Sequence, residues 1–252
     1  MSDPARYGFL APMPSELRPL QKALSLRASG RGLGAVHTGS LDGHPVVALL
    51  TGIGMARAAA RAHDLLADHG VDHVVVIGVA GGLASDLSVG DVVVPAVVVD
   101  LSDGRELHPT PVTGPTRVDG APPVDRVRTG GRLYTSDDFI TDADALGRLR
   151  ADGATAIDME TAAIARVCED EGCAWSVFRG ISDDAFDPLV DESILALTRP
   201  DGSPNLGAVA RFVAGDPRRV KLLARLGRDL KVATSGAVDA ALHACRQQLA
   251  GN

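Results

Sequence analysis

The residues best placed to do chemistry are carboxylates at the ends of apolar runs. Ala154 to Ile157 reads as a short buried strand, and Thr161 to Glu171 as a helix with Ile164, Val167 and Cys168 at helical spacing. Asp158, Met159 and Glu160 fill the joint between them. Ala174 to Ile181 reads as a second apolar strand, running out into Ser182-Asp183-Asp184. A third strand, Tyr7 to Ala11, is broken by Pro12-Met13-Pro14-Ser15. Ser15 is a candidate helix cap, and Glu16 follows it. Open α/β sheets bind ligands outside the carboxyl ends of their strands. Any one of these carboxylates could simply favour a helix dipole. Glu16, Glu160 and Asp183 together point to a shared site, the raw material of general acid–base chemistry. The expectation is that two neighbouring strands, 154–157 and 174–181, deliver acidic groups to one sheet edge.

The remaining elements must hold those strand ends in place. Val36 to Leu41, Asp42-Gly43 and Pro45 to Thr51 read as a hairpin. Gly52-Ile53-Gly54 then opens an Ala-rich helix, Ala56 to Asp68. His73 to Val79 is a nearly unbroken Val/Ile run, suited to a central strand buried on both faces. It ends in Ala80-Gly81-Gly82, where small residues let a ligand approach the backbone. Val92 to Asp100 is a further strand carrying Pro95, and Val127 to Tyr134 a weaker one. A helix covers Asp142 to Arg150, and Asp184 to Pro204 reads as irregular. Residues 102–123, rich in Pro, Gly and Thr, read as a mobile loop. Residues 217–248 read as a helix whose stripe of Val220, Leu223, Leu226 and Leu230 packs back on the core, with a solvated basic face. Alternating strands and helices without a domain-scale linker give one three-layer α/β domain over residues 1–252.

Composition removes several classes. The net charge of -7 argues against a nucleic-acid partner. The 3 cysteines show no metal-ligand spacing and suit reduced thiols in a cytoplasm. The N-terminus has no apolar signal core, and no apolar run reaches the roughly 18 residues of a membrane helix. A phosphate loop, a zinc helix and a nucleophile elbow are all absent. Arg57 stands where a dinucleotide loop needs its third glycine, which disfavours a nicotinamide cofactor.

The chain resembles the nucleoside phosphorylase/nucleosidase superfamily, and within it the methylthioadenosine/S-adenosylhomocysteine nucleosidases. The resemblance runs from Tyr7 to Asp183 through Met13-Pro14-Ser15-Glu16, Gly52-Ile53-Gly54, Gly78-Val79-Ala80-Gly81-Gly82-Leu83, Val89-Gly90-Asp91, Asp138-Phe139-Ile140, Asp158-Met159-Glu160 and Arg179-Gly180-Ile181-Ser182-Asp183. It implies a central mixed, twisted sheet, a small-molecule purine nucleoside as substrate, no cofactor, no metal and a homodimer. It also implies roles. Asp183 protonates the purine at N7, supported by Ser182, and Glu16 deprotonates the attacking water. Glu160 grips the ribose hydroxyls, with Asp158 beside it and Met159 packed on the sugar. Phe139 stacks on the purine and the backbone near Ile140 reads its edge. Met13, Ile53, Ala80 and Gly81 complete the substrate site. Phosphorylases of the superfamily often hold phosphate with a Ser or Thr at the place of Val79, so Val79 favours water as nucleophile. Arg199-Pro200-Asp201-Gly202 and the basic helix look more like hopanoid-associated nucleoside phosphorylases. The expected activity is hydrolysis of a 5′-modified adenosine. Phosphorolysis, including that of a lipid-linked adenosine, and non-catalytic nucleoside binding are its rivals.

Overall fold

A computed structural model describes residues 6–111, 126–187, 190–216 and 218–251. The chain opens with β1 (Tyr7–Ala11), α1 (Pro14–Ala23), β2 (Arg27–Ser29), β3 (Val36–Leu41), β4 (His44–Leu50) and α2 (Met55–His69). The middle holds β5 (His73–Gly82), β6 (Val92–Val94), β7 (Val97–Asp100), β8 (Glu106–Leu107), β9 (Val127–Thr129) and β10 (Arg132–Thr135). It closes with α3 (Ala143–Ala151), β11 (Ala154–Asp158), α4 (Thr161–Asp170), β12 (Ala174–Asp184), α5 (Glu192–Leu195), α6 (Leu206–Gly215) and α7 (Arg219–Gly251).

One mixed sheet runs β2-β3-β4-β1-β5-β11-β10-β7-β8, and β5 is its branch point. β12 pairs in parallel along the whole of β5. β1 and β11 therefore share the other edge, β1 along His73–Val76 and β11 at Gly81 and Gly82. The two acid-bearing strands β11 and β12 are thus not neighbours; they flank β5. β11 runs antiparallel to β5, with Ile157 opposite Gly81, so its carboxyl end turns back toward the middle of β5.

Helices cover both faces. α2 and α4 pack on one face through Ala58, Ala62, Leu65, Ala162 and Ile164. α1 and the second half of α7 cover the other through Leu17, Leu20, Ala237 and Ala241. Val74 to Ile77 of β5 are fully buried between these layers, as their unbroken apolar run requires.

Several expectations need correction. Residues 92–100 do not form one strand. Pro95 lacks a ladder donor, so the run splits into β6, paired with β12, and β7, paired with β10. Residues 127–134 split likewise at Gly130 and Gly131. The α1 cap is Met13 rather than Ser15, with Glu16 Oε2 accepting from Met13 N at 2.7 Å. The segment 184–204 holds the short helix α5, and α6 follows it. Of the loop read over 102–123, the described beginning pairs β8 with β7, and residues 112–123 lie outside the described residues.

The apolar stripe of α7 is only half-buried at Leu223, Leu226 and Leu230. Val220 is 51% exposed, and continuous burial starts only at Ala233. Small residues decide where this helix can touch the sheet. A Cβ on Gly180 of β12 would lie 2.1 Å from Ala233 O, so the helix lies directly on the strand there. The Leu-rich first half is too bulky for such an approach and packs beside α6. No described helix is long and apolar enough to cross a membrane.

Candidate active site

Every predicted site residue lines one pocket at the branch point of the sheet. Met13 and Glu16 come from the β1–α1 junction, Ile53 from the β4–α2 loop, and Ala80 and Gly81 from the end of β5. Phe139 and Ile140 come from the β10–α3 loop, Asp158, Met159 and Glu160 from the β11–α4 joint, and Ser182 and Asp183 from β12. Sequence reasoning missed Val190, Ile194, Leu195 and Thr198, which give the pocket an apolar wall. They lie in a stretch with no periodicity to read.

It also missed the residue that organises the charge. Arg179 is fully buried in β12. Its Nη2 lies 2.7 Å from Asp158 Oδ2 and 3.5 Å from Glu160 Oε2, and its Nε and Nη2 both reach Thr161 Oγ1. Register explains the convergence: Arg179 pairs with Gly78, and the antiparallel β11, with Ile157 opposite Gly81, returns Asp158 toward that level. Gly78 leaves the room. A Cβ there would meet Arg179 Nη1 at 2.2 Å and Glu16 Oε1 at 2.7 Å. A lone arginine inside an apolar strand was the available signal, since a buried charge requires partners.

Asp158 is spent on this scaffold. Its Oδ1 accepts from Thr135 Oγ1 at 2.7 Å, and its Oδ2 accepts from Thr161 Oγ1 and pairs with Arg179. It also lines the pocket, with its carboxylate held by the scaffold.

Glu16 is held from two sides, accepting from Met13 N at 2.7 Å and Val79 N at 2.8 Å. Burial still pushes its carboxyl up to about 7, against the opposing pull of Arg179 and the two amides. Glu160 is also raised, by burial first, with Arg179 opposing. Burial raises Asp183 in turn, against a 2.5 Å bond donated by Ser182 Oγ to Oδ1. The β12 register slips between Ile181 and Asp183, a bulge that re-aims the Asp183 side chain over Gly81. Burial alone would lower Arg179, but Asp158, Glu160 and Glu16 outweigh it and keep it charged.

The pocket lining contains Glu16, Asp138, Asp158, Glu160 and Asp183 and, among the described residues, no Lys, Arg or His. The N-terminus of α2 could in principle hold an anion. Its first amides are already taken: Gly54 N donates to Glu160 Oε1 at 3.2 Å and Met55 N to Asp137 Oδ1 at 2.8 Å. A strap at Arg199–Ser203 closes this end, with Pro200 O accepting from Ile53 N at 3.0 Å.

Comparison with known proteins decides the family. The pattern of the phosphorylase superfamily matches residues 6–199, more than half of the chain. The chain belongs to the phosphorylase superfamily. Within it, the chain is 32% identical over 202 residues to the 5′-methylthioadenosine/S-adenosylhomocysteine nucleosidase of Colwellia psychrerythraea, covering 71% of this chain and 83% of that protein. It is 33% identical over 197 residues to the Chromohalobacter salexigens enzyme of the same name, covering 71% and 84%. The Colwellia nucleosidase, solved with adenine, superposes with a TM-score of 0.70 at 23% identity over 97% of this chain and 96% of that one. The futalosine hydrolase of Helicobacter pylori superposes at 0.69 with 20% identity over 97% and 98%. The superfamily match stops at residue 199, so α6 and α7 lie beyond it.

Proposed function

We propose that this superfamily member is a purine nucleosidase that hydrolyses the N-ribosidic bond of a 5′-modified adenosine, giving adenine and the 5′-modified ribose. The observation that carries this reading is the acid-lined pocket with no cation in its lining among the described residues. Carboxylates around the sugar stabilise an oxocarbenium-like cation as the bond breaks. The lining offers no cation, among the described residues, to hold a phosphate nucleophile. Val79 offers no hydroxyl in the pocket, and the amides of Gly54 and Met55 at the start of α2 are already occupied.

In this reading Asp183, whose carboxyl burial pushes up, delivers a proton to N7 of the departing purine. Glu16 takes a proton from the water that attacks the anomeric carbon. Glu160 accepts from the ribose hydroxyls, Met159 packs on the sugar, and Phe139 stacks on the base while the backbone at Ile140 reads its edge. The apolar wall of Ile53, Ile194 and Leu195 suits an apolar 5′ group. The protein would work as a cytoplasmic homodimer, which sedimentation checks.

The test is adenine release from methylthioadenosine, S-adenosylhomocysteine, adenosine and inosine, with and without phosphate. Release without phosphate, fastest from a 5′-thio substrate, is expected. Strict phosphate dependence would move the chain to the phosphorylases. Binding without release from any substrate would leave a nucleoside-binding protein.

A further inference from the structure

The turn that follows Asp183 is gripped by a residue far along the chain. Ala185 N donates to Gly82 O at 2.9 Å and Phe186 N to Asp184 Oδ1 at 2.9 Å. Asp187 N donates to Asp184 O at 2.8 Å, and Val190 N to Asp187 O at 2.9 Å. Asp187 is therefore the joint between the Asp183 end of β12 and the pocket wall of Val190, Ile194 and Leu195. From α7, Arg225 Nη2 lies 2.6 Å from Asp187 Oδ2.

We propose that Arg225, through its ion pair with Asp187, positions the Asp183 carboxyl and the apolar pocket wall beyond it. This rests on the reading of Asp183 as the acid. Three observations carry it. First, α7 is seated on β12 at Gly180, three residues before Asp183, so Arg225 is delivered from a helix registered against the same strand. Second, the turn is held from its other side by Arg150 of α3, whose guanidinium stacks 3.9 Å from the centre of the Phe186 ring. Two arginines from different elements thus clamp four residues. Third, Arg225 Nε is buried with no hydrogen-bond partner among the described residues. Burying a donor unpaired is costly, so Nε does not seat this half-exposed side chain; the Nη2 hydrogen bond to Asp187 Oδ2 does.

The charges facing Asp183 fit that role. Asp184 and Asp187 on its own segment push its carboxyl up, and Arg225 from α7 pulls it down. Arg150 on α3 is engaged with Phe186. Arg225 offsets the acidic turn. It lies beyond residue 199, where the superfamily match ends.

The experiment is the pH profile of kcat for adenine release from methylthioadenosine. It compares wild type with Arg225→Gln, Arg225→Lys, Asp187→Asn and the double variant Arg225→Gln/Asp187→Asn. The limb set by Asp183 is identified as the one that Asp183→Glu moves. Losing the cation should shift that limb up by roughly half a pH unit, and losing the Asp187 charge should shift it down by a similar amount. The double variant should return toward wild type, and Arg225→Lys should leave the limb in place. KM should rise in Arg225→Gln as the apolar wall loosens. A limb that stays put in both single variants, even with a lower melting temperature, overturns the proposal. If Arg225→Gln does not fold, the opposite expectations for Asp187→Asn and Arg225→Lys still decide it. Full turnover in Asp183→Asn would overturn the reading of the acid itself, and this inference with it.

Discussion

The branch point of the sheet and the first half of α7 invert the usual rule in opposite ways. Around Arg179, Glu16, Asp158 and Glu160 are nearly fully buried. On the outer hairpin of α6 and α7, Leu206 is 72% and Val220 51% exposed. Buried charge is costly and persists only when each group is paired. Here Arg179 balances a cluster of carboxylates, and backbone amides and threonine hydroxyls take up the remaining oxygens. Exposed apolar groups cost far less, and single ones are ordinary. The difference teaches where the molecule is sensitive. Small changes at the branch point should disturb chemistry or fold, and comparable changes on the hairpin should not.

The sharpest test of the branch point is chemical. Glu16→Gln and Asp183→Asn should each lower kcat by about 10²- to 10⁴-fold, the usual contribution of a general base or acid, while adenine still binds. Full activity in either variant would remove that residue from the mechanism. Arg179→Met leaves its carboxylate partners buried without their cation. Breaking such a pair by one partner costs about 3–5 kcal/mol, a large share of a typical domain stability. A urea unfolding curve within 1 kcal/mol of wild type, to order of magnitude, would show that the cluster is not held by charge. A third test is pH. With Asp183 as the acid, kcat/KM on the acid side should follow the ionised fraction of Glu16, whose carboxyl burial pushes up to about 7. Activity should therefore fall about tenfold per unit below that value, near 100-fold by about pH 5. A flat profile from acid to neutral pH would contradict the buried-base assignment.

What could be read in the sequence follows the same division. The strand-end carboxylates were legible because strand and helix periodicities meet at Asp158–Glu160 and at Asp183, and local pattern alone marks those joints. Arg179 was not legible as a site residue. Its partner Asp158 reaches it only through the antiparallel return of β11 beside β5, a long-range pairing no local window contains. The split of 92–100 at Pro95 had a local cue, but the departure of its halves to opposite parts of the sheet did not. The α7 stripe was read correctly as helical, and the helix does pack back on the core, but mainly through its second half. Periodicity reports which residues share a face, and the size of Ala233 and Gly180 decides where that helix can dock.

Gly180→Ala probes the boundary between the two regions. The added methyl would meet the Ala233 backbone rather than a movable side chain, so α7 must shift away from β12. Overpacking of this kind costs about 1–3 kcal/mol. Activity should fall with it, because the same strand carries Asp183.

The smallest effect belongs to the hairpin itself. Leu206→Ser and Val220→Ser remove apolar groups that water already reaches, so each should change stability by less than about 0.5 kcal/mol and leave turnover alone. The measurement is a urea midpoint at two protein concentrations, with adenine release assayed in parallel. A loss above about 1 kcal/mol, or a midpoint that depends on concentration, would mean that this face is covered in solution. The contrast would then fail on the hairpin side. Two buried regions would remain, one built on paired charge and the other on leucine and valine, and the surface of the single chain would no longer predict where substitution is harmless.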